Sequence, residues 1–219
     1  MSEQAVVDIV IPSWAPPNET DCGDLLRCLS SLSDSTRIAH RIHVCRSADS
    51  ASVNRNRALQ GCEAEYVCFL DDDVYVSPGW LEALLEVAQR DSARIVGPKI
   101  KLETGQIFAF GMYRSDDQFL PSSYGDWDSP ERTETLSCDL LPTTCMLVRR
   151  QAVLEVGGFD EMFSTSQFED IDFALRLGKR GGSFQVVGAS TVYHAHRYRT
   201  VNPEANEQYL RNKWDLGPK

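Results

Sequence analysis

Basic charge is scarce in this 219-residue sequence: 22 Lys and Arg stand against 32 Asp and Glu, a formal charge of −10. A nucleic-acid binder or a polybasic membrane-surface protein needs a positive field, so both classes are excluded. A negatively charged substrate still fits, provided a metal ion or a few local basic groups reverse the sign inside a site. Long apolar runs are also missing. The first, Ala5-Val6-Val7, resumes after Asp8 as Ile9-Val10-Ile11, too short for a membrane span, and no basic n-region of a signal peptide precedes it. There is no CxxC pair, and the seven cysteines are odd in number, which argues against a disulfide framework and a zinc ribbon. They sit among apolar neighbours, as in Tyr66-Val67-Cys68-Phe69, and read as small buried hydrophobes. No GxGxxG follows the first apolar run and no GxxxxGK[ST] occurs, so the dinucleotide and P-loop readings fail. Internal repeats, linkers and low-complexity segments are absent too. What is left is the expectation of a soluble, reduced, cytoplasmic protein, one domain over 1–219, its core supplied by 42% hydrophobic residues.

Short apolar runs alternate with helical periodicity. Val6 to Ile11 reads as a buried strand stopped by Pro12, and Leu25, Leu26, Leu29 and Leu32 form a helical stripe. Arg41 to Arg46 and Ala64 to Leu70 are the next strands. A helix then starts with Ser77 as N-cap, Pro78 in its first position and Val76 stapled to Leu81. Arg94 to Ile100 is a fourth strand. This β-α-β-α-β-α-β order predicts an α/β fold, a mainly parallel sheet flanked by helices. Residues 113 to 137 are polar and read as a long loop, either covering a site or mobile. Beyond it come a strand over Leu140 to Val148, a short helix over Gln151 to Val156 ended by Gly157-Gly158, and a helix over Glu169 to Lys179. Strand-like Ser183 to Val187 and Thr191 to His194 follow.

Four clusters carry chemistry. Asp71-Asp72-Asp73 stands at the carboxyl end of an apolar strand, the edge at which open α/β sheets bind ligands. Adjacent carboxylates repel, and hard oxygen donors suit Mg²⁺ or Mn²⁺ bridging to phosphates. Asp71 and Asp73 alternate and so face one ion; the plainer reading is an acidic turn. Phe168-Glu169-Asp170-Ile171-Asp172, with Arg176, either opens a helix with dipole-favoured acids and a surface ion pair or aims one carboxylate into a cleft as a general base. In Tyr193-His194-Ala195-His196-Arg197, two imidazoles on one face of a strand suit a metal or phosphate, although a lone histidine is more often structural. Arg55 and Asn56, near a helix start, suit a nucleotide; the alternative is an exposed arginine.

In this order the pieces resemble a family 2 glycosyltransferase of the GT-A fold. Ile9-Val10-Ile11-Pro12 is similar to the family's opening strand, Leu25 to Leu32 to its LxxCLxSL helix, Arg55-Asn56 to its ARN element and Tyr66 to Asp73 to its DXD strand. Met146 to Phe159 with Asp160-Glu161 resembles the acceptor-side segment, Glu169-Asp170 the ED motif, Val192-Tyr193-His194 the late histidine, and Asn206 to Trp214 a tail of some bacterial members. The resemblance implies a GT-A fold with a small antiparallel element in the second half, a donor-nucleotide half over 1–112 and an acceptor half with a C-terminal tail over 138–219. It implies a metal-dependent inverting transferase, hexosyltransferase in type, moving a sugar from a nucleotide-diphospho-sugar to a saccharide or glycolipid hydroxyl in bacterial polysaccharide or glycoconjugate synthesis. Asp71, Asp73 and His194 would hold Mn²⁺ or Mg²⁺. Pro12, Ser13, Asp49, Arg55, Asp71 and Asp72 would meet the donor, and Asp170 would be the base with Glu169 beside it. One departure stands out: the family's acidic DDGS reads here Cys45-Arg46-Ser47-Ala48-Asp49-Ser50, so Asp49 takes that place.

Three other readings compete. A nucleotidyltransferase would carry a Gly-rich basic loop after the first strand, which Ser13-Trp14-Ala15-Pro16-Pro17 is not. A glycosidase would use two carboxylates without a metal. A degenerate sugar- or nucleotide-binding module would explain the lost DDGS. No nucleic-acid partner and no transmembrane segment are expected; peripheral membrane association and oligomeric state stay open.

Overall fold

The computed structural model describes residues 6–90, 94–196 and 203–217. Its centre follows from period-two patterning in two buried, largely apolar strands. Along β1 (Val7–Trp14) and β3 (Tyr66–Leu70), Val7, Ile9, Ile11, Tyr66, Cys68 and Leu70 enter one core, and Val10, Val67 and Phe69 enter the other. A sheet apolar on both faces must be covered on both. The stripe Leu25, Cys28 and Leu32 of α1 (Gly23–Ser35) covers the first face together with Trp80, Leu81, Leu84 and Leu85 of α3 (Trp80–Ala88). The second is covered by Ala58 of α2 (Ala51–Leu59), Val153 of α4 (Arg150–Glu155), and Phe173, Ala174 and Leu177 of α5 (Glu169–Lys179).

Among the described residues the main sheet has nine strands, and seven form one continuous path: with β1 and β3 these are β2 (His40–Ser47), β4 (Val74–Val76), β5 (Arg94–Leu102), β10 (Cys145–Arg149) and β11 (Ser183–His194), in the spatial order β2-β1-β3-β10-β5-β11-β4. β1 is parallel to β2 and β3, and β11 is parallel to β5, whereas β10 runs antiparallel between β3 and β5 and β4 antiparallel to β11. Five of these seven strands therefore point one way, and their carboxyl ends share one edge. Ser13, Asp71 and His194 all stand on that edge.

Several expectations are corrected. Pro12 does not stop β1, which runs to Trp14; β3 pairs with it only as far as Val10, so Pro12 sits where one ladder has already ended. Ser77 is not the cap of α3: its hydroxyl donates to the Thr191 carbonyl at 2.6 Å, and Gly79, at φ +81°, takes the N-cap position instead. The polar stretch 113–137 is not structureless. It holds most of the hairpin β7 (Met112–Ser115) and β8 (Gln118–Pro121), the small antiparallel element, and most of β9 (Thr135–Cys138), which pairs with β11. The strand expected from Leu140 begins only at Cys145. The two late strand segments are one strand, β11, with a register shift between Val187 and Thr191. β4 and β6 (Ile107–Ala109), three residues each, were too short to read from pattern.

Candidate functional site

Leaving β3, the chain turns sharply, with Val74 N donating to the Asp71 carbonyl at 3.2 Å. The turn is fastened on both sides: Asp71 N donates to the Thr144 carbonyl at 3.1 Å, and Ala195 N to the Asp73 carbonyl at 2.9 Å. Pairing of β4 with β11 sets His194 opposite Val74, which brings its Nε2 to 3.1 Å from Asp73 Oδ1. Asp71, Asp73 and His194 can each offer one ligand atom within 4.8 Å of the others. Burial pulls the His194 pKa down, but the Asp73 hydrogen bond and the charges of Asp73, Asp71 and Asp72 outweigh it, and the net shift is upward. Its Nδ1 is buried and has no partner. Asp72, between the two ligand candidates, is buried.

The second acidic cluster is delivered by a strained approach. Gln167 and Phe168 both have positive φ, +83° and +71°, a conformation that persists only where the surroundings over-determine it. Phe168 then caps α5, placing Glu169 and Asp170 in the first turn, where the helix dipole favours negative charge. Glu169 is 3% exposed. Burial pushes its pKa up to about 7 against the opposing pull of Arg55, with the charge of Asp170 adding to the rise. Burial also raises Asp170, whose Oδ1 accepts the Ile171 amide at 2.9 Å.

Arg55 joins the two clusters. It is 3% exposed, not the surface arginine of the plainer reading. Its Nη2 donates to Asp71 Oδ1 and its Nη1 to Glu169 Oε1, each at 2.8 Å, while the guanidinium lies 5.1 Å from the Phe159 ring centroid. One guanidinium therefore spans from the aspartate turn to the start of α5, and the two acidic motifs line a single site. Glu169 Oε2 remains buried without a partner.

The other residues singled out fall around this centre. Pro12 and Ser13 end β1. Asp49 stands at the start of α2, half exposed, ion-paired with Arg57 and accepting Ser47 Oγ at 3.1 Å. Asn56 is engaged by the chain itself: it donates to the Phe159 carbonyl at 2.9 Å and accepts the Phe159 amide at 2.8 Å. That clamp lies against Gly158, at φ +72°, where a Cβ would meet Asn56 Oδ1 at 2.6 Å. The Asp172–Arg176 pair is not a surface pair. Asp172 is fully buried and also accepts from Trp214 Nε1 at 2.9 Å and Lys213 Nζ at 2.8 Å. β11 ends at His194, yet the His196 ring centroid lies 5.2 Å from that of His194; Arg197 lies outside the described residues.

Sequence reasoning missed two asparagines. Asn54 accepts Ser47 Oγ at 2.7 Å and donates to the Ser13 carbonyl at 3.4 Å, tying the ends of β1 and β2 together. Asn206, on α6 (Glu204–Trp214) and 2% exposed, accepts the Ser164 amide at 3.2 Å and donates to the Gln167 carbonyl at 2.9 Å. It holds the strained segment just before Glu169. The tail motif Asn206 to Trp214 was the available signal. A further grouping, Asp8, His43 and Cys62, lies at the opposite end of β1. It is a poor metal site: Asp8 already accepts from Arg41, His43 and the Glu63 and Ala64 amides, and burial pushes the Cys62 thiol up to about 12.

Compared with known proteins, residues 19–211 match the model of glycosyltransferase like family 2. The chain belongs to that family. Among its relatives, the N-acetylglucosaminyl-diphospho-decaprenol L-rhamnosyltransferase of Mycobacterium tuberculosis is 30% identical over 165 residues, 68% of this chain and 53% of that protein. The pre-mycofactocin glycosyltransferase of the same species is 29% identical over 143 residues, 65% of this chain and 29% of that protein. This family 2 chain thus spans between about a third and about half of the length of these relatives. A solved structure of GalNAc-T7 with UDP, GalNAc and Mn²⁺ superposes with a TM-score of 0.73 at 14% identity, covering 98% of this chain and 49% of that one. Staphylococcus aureus TarS gives 0.62 at 15% identity, covering 94% and 38%. At these identities the likeness establishes the shared GT-A fold.

Proposed function

We propose that this family 2 chain carries out metal-dependent, inverting transfer of a sugar from a nucleotide-diphospho-sugar to a hydroxyl acceptor. The observation that carries the reading is the Arg55 bridge, because donor-activating and proton-accepting groups must meet in one cleft. The donor set fits a divalent cation: two carboxylates and an imidazole within 4.8 Å, with a buried, unpartnered His194 Nδ1 left over. Asp71, Asp73 and His194 would hold Mn²⁺ or Mg²⁺, and a mixed oxygen and nitrogen set favours manganese over magnesium. Bound there, the cation supplies positive charge to a departing diphosphate as a Lewis acid.

The chain's own residues supply the rest. Pro12, Ser13 and Asp49, at the ends of β1 and β2, face the nucleoside, and Asn54 fixes that corner. Arg55 keeps Asp71 aimed at the diphosphate and supplies positive charge in an otherwise acidic site. Asp170 takes the proton of the attacking hydroxyl; its Oδ1 is held by the Ile171 amide. Burial raises its pKa and so strengthens it as a proton acceptor, and general-base catalysis contributes typically ~10²–10⁴-fold. Glu169, tied to Arg55, positions that turn. A single base and in-line displacement invert the anomeric carbon.

The acceptor is a saccharide or glycolipid hydroxyl, in keeping with the lipid-linked sugar in the rhamnosyltransferase relative's name. Such chemistry belongs to polysaccharide or glycoconjugate synthesis on the cytoplasmic side. Among the described residues no helix is long and apolar enough to cross a membrane. Asp170→Asn should abolish transfer while sparing donor binding; retained turnover would reject the assigned base. A second reading, a nucleotide-sugar-binding module, draws on the engagement of Asp49 by Arg57. Calorimetry that finds nucleotide binding with neither transfer nor donor hydrolysis would favour it.

A further inference from the structure

One exposed feature beside the site is left unused by this mechanism. Tyr124 is 59% exposed, and it is presented by a turn in which the residues on either side, Ser123 at φ +59° and Gly125 at φ +82°, both adopt left-handed backbone. A non-glycine residue there is strained, and main-chain bonds hold it in place. Gly125 N donates to the Ile107 carbonyl at 2.9 Å, Ile107 N to the Asp126 carbonyl at 2.8 Å, and Ser122 N to the Gly111 carbonyl at 2.9 Å. Gln106 Nε2 adds a bond to the Gly125 carbonyl at 2.8 Å. The segment 122–126 is thus stitched onto β6 and displays a large ring rigidly to solvent.

That ring is joined to the metal-binding residues by aromatic contacts. Its centroid lies 6.0 Å from Phe108 on β6, and the Phe108 centroid lies 4.9 Å from His194 and 5.0 Å from His196. The Phe108 and His194 planes cross at 83°, an edge-to-face packing that fixes the row. β6 pairs with residues near the end of β5, so the row continues the carboxyl edge beside His194. A tyrosine held this way offers a large ring face to a ligand at little conformational cost.

We propose that Tyr124, Phe108 and His196 form an aromatic shelf that takes the apolar face of a pyranose ring of the acceptor. The proposal rests on the transferase reading and assigns its saccharide acceptor a binding place and the residues that hold it. One face of a pyranose carries several C–H bonds, and an aromatic ring carries a negative face that attracts them. The shelf adjoins the metal-binding edge, so a ring stacked there has a hydroxyl within reach of the site. The Tyr124 hydroxyl adds a polar handle at its outer rim.

The test uses saturation-transfer NMR on the full chain with UDP and diamagnetic Mg²⁺. The probes are methyl β-D-glucopyranoside, methyl N-acetyl-β-D-glucosaminide and methyl α-L-rhamnopyranoside, with the open-chain alcohol sorbitol as control. Irradiation of the aromatic protons should transfer saturation to ring C–H protons of at least one glycoside and not to sorbitol. Tyr124→Ala should weaken that binding by about tenfold, and Tyr124→Phe should retain it. Transfer to no glycoside, or transfer undiminished in Tyr124→Ala, overturns the shelf. Sedimentation showing a dimer that Tyr124→Ala dissolves would also overturn it, assigning the patch to a second copy of the chain. UDP, dTDP and GDP titrated with Mn²⁺ on the wild type are a separate arm: failure of all three rejects the transferase reading, whereas binding of any one beside a failed glycoside arm rejects the shelf alone.

Discussion

Replacing Arg55 by methionine keeps most of the side-chain volume and removes the cation that bridges Asp71 and Glu169. Both hydrogen bonds are 2.8 Å long, and the guanidinium and Glu169 are almost wholly buried. Breaking a buried ion pair from one side typically lowers stability by about 3–5 kcal/mol, since the remaining charge is stranded. For a chain of this length that is a fall in Tm of roughly 10 °C. Glu169 offers partial relief, because its pKa already stands at about 7 and rises further once Arg55 is gone. A carboxyl whose folded pKa exceeds its unfolded value contributes stability below the unfolded pKa and loses that contribution as pH rises through the folded one. The deficit of Arg55→Met should therefore be largest at pH 8 and shrink toward pH 5. Arg55→Lys should fall between, because one ammonium cannot serve two carboxylates in the fork geometry. Urea unfolding at both pH values reads these differences. A variant within about 1 kcal/mol of wild type at pH 8 would refute the idea that this residue holds the site together.

Two further outcomes follow from the same coordinates. Asp8, fully buried, is held at about 2 because its bonds from Arg41, the Ala64 amide, His43 and the Glu63 amide outweigh a desolvation penalty that acts upward. Its stabilisation is complete above the unfolded value near 3.8 and is lost as pH falls toward 2, at most about 2 kcal/mol and less after screening at the half-exposed Arg41. Acid titration of wild type against Asp8→Asn should show that slope in the wild type alone. Asn206→Ala strands the Ser164 amide and the Gln167 carbonyl, a loss of about 1–3 kcal/mol. Hydrogen exchange should accelerate over residues 164–170 and not in β3; equal acceleration in both would mean that Asn206 stabilises the fold without positioning the segment.

The parts of this fold legible in the sequence were those set by local pattern. Alternation in Val7 to Ile11 and Tyr66 to Leu70, the leucines of α1 and the dipole-matched start of α5 all depend on neighbours a few residues away. What escaped was set by distant partners. The cap at Gly79 follows from Ser77 engaging Thr191, more than a hundred residues on. The hairpin within 113–137 forms on polar sequence because its two strands pair with each other, and β9 forms because β11 supplies its partner. The acidic motifs could each be read singly, since a carboxylate cluster at a strand end or helix start carries its own chemistry. That Arg55 joins them could not be read, because the bond from residue 55 to residue 169 exists only once the sheet has brought α2 and α5 together. Asp172 looked like half of a surface pair because the i, i+4 spacing is silent about Trp214 and Lys213 arriving from α6.

The central claim, a single cleft between the aspartate turn and the start of α5, is most directly tested by paramagnetic broadening. Amide NMR spectra of the full chain would be recorded as Mn²⁺ is added. The account predicts early loss of the Val74, His194 and Ala195 signals together with those of Glu169 and Asp170, while Glu63 and Ala64 beside Asp8 stay sharp. Broadening centred on Glu63 and Ala64, or Glu169 and Asp170 left sharp while the aspartate turn disappears, would contradict it.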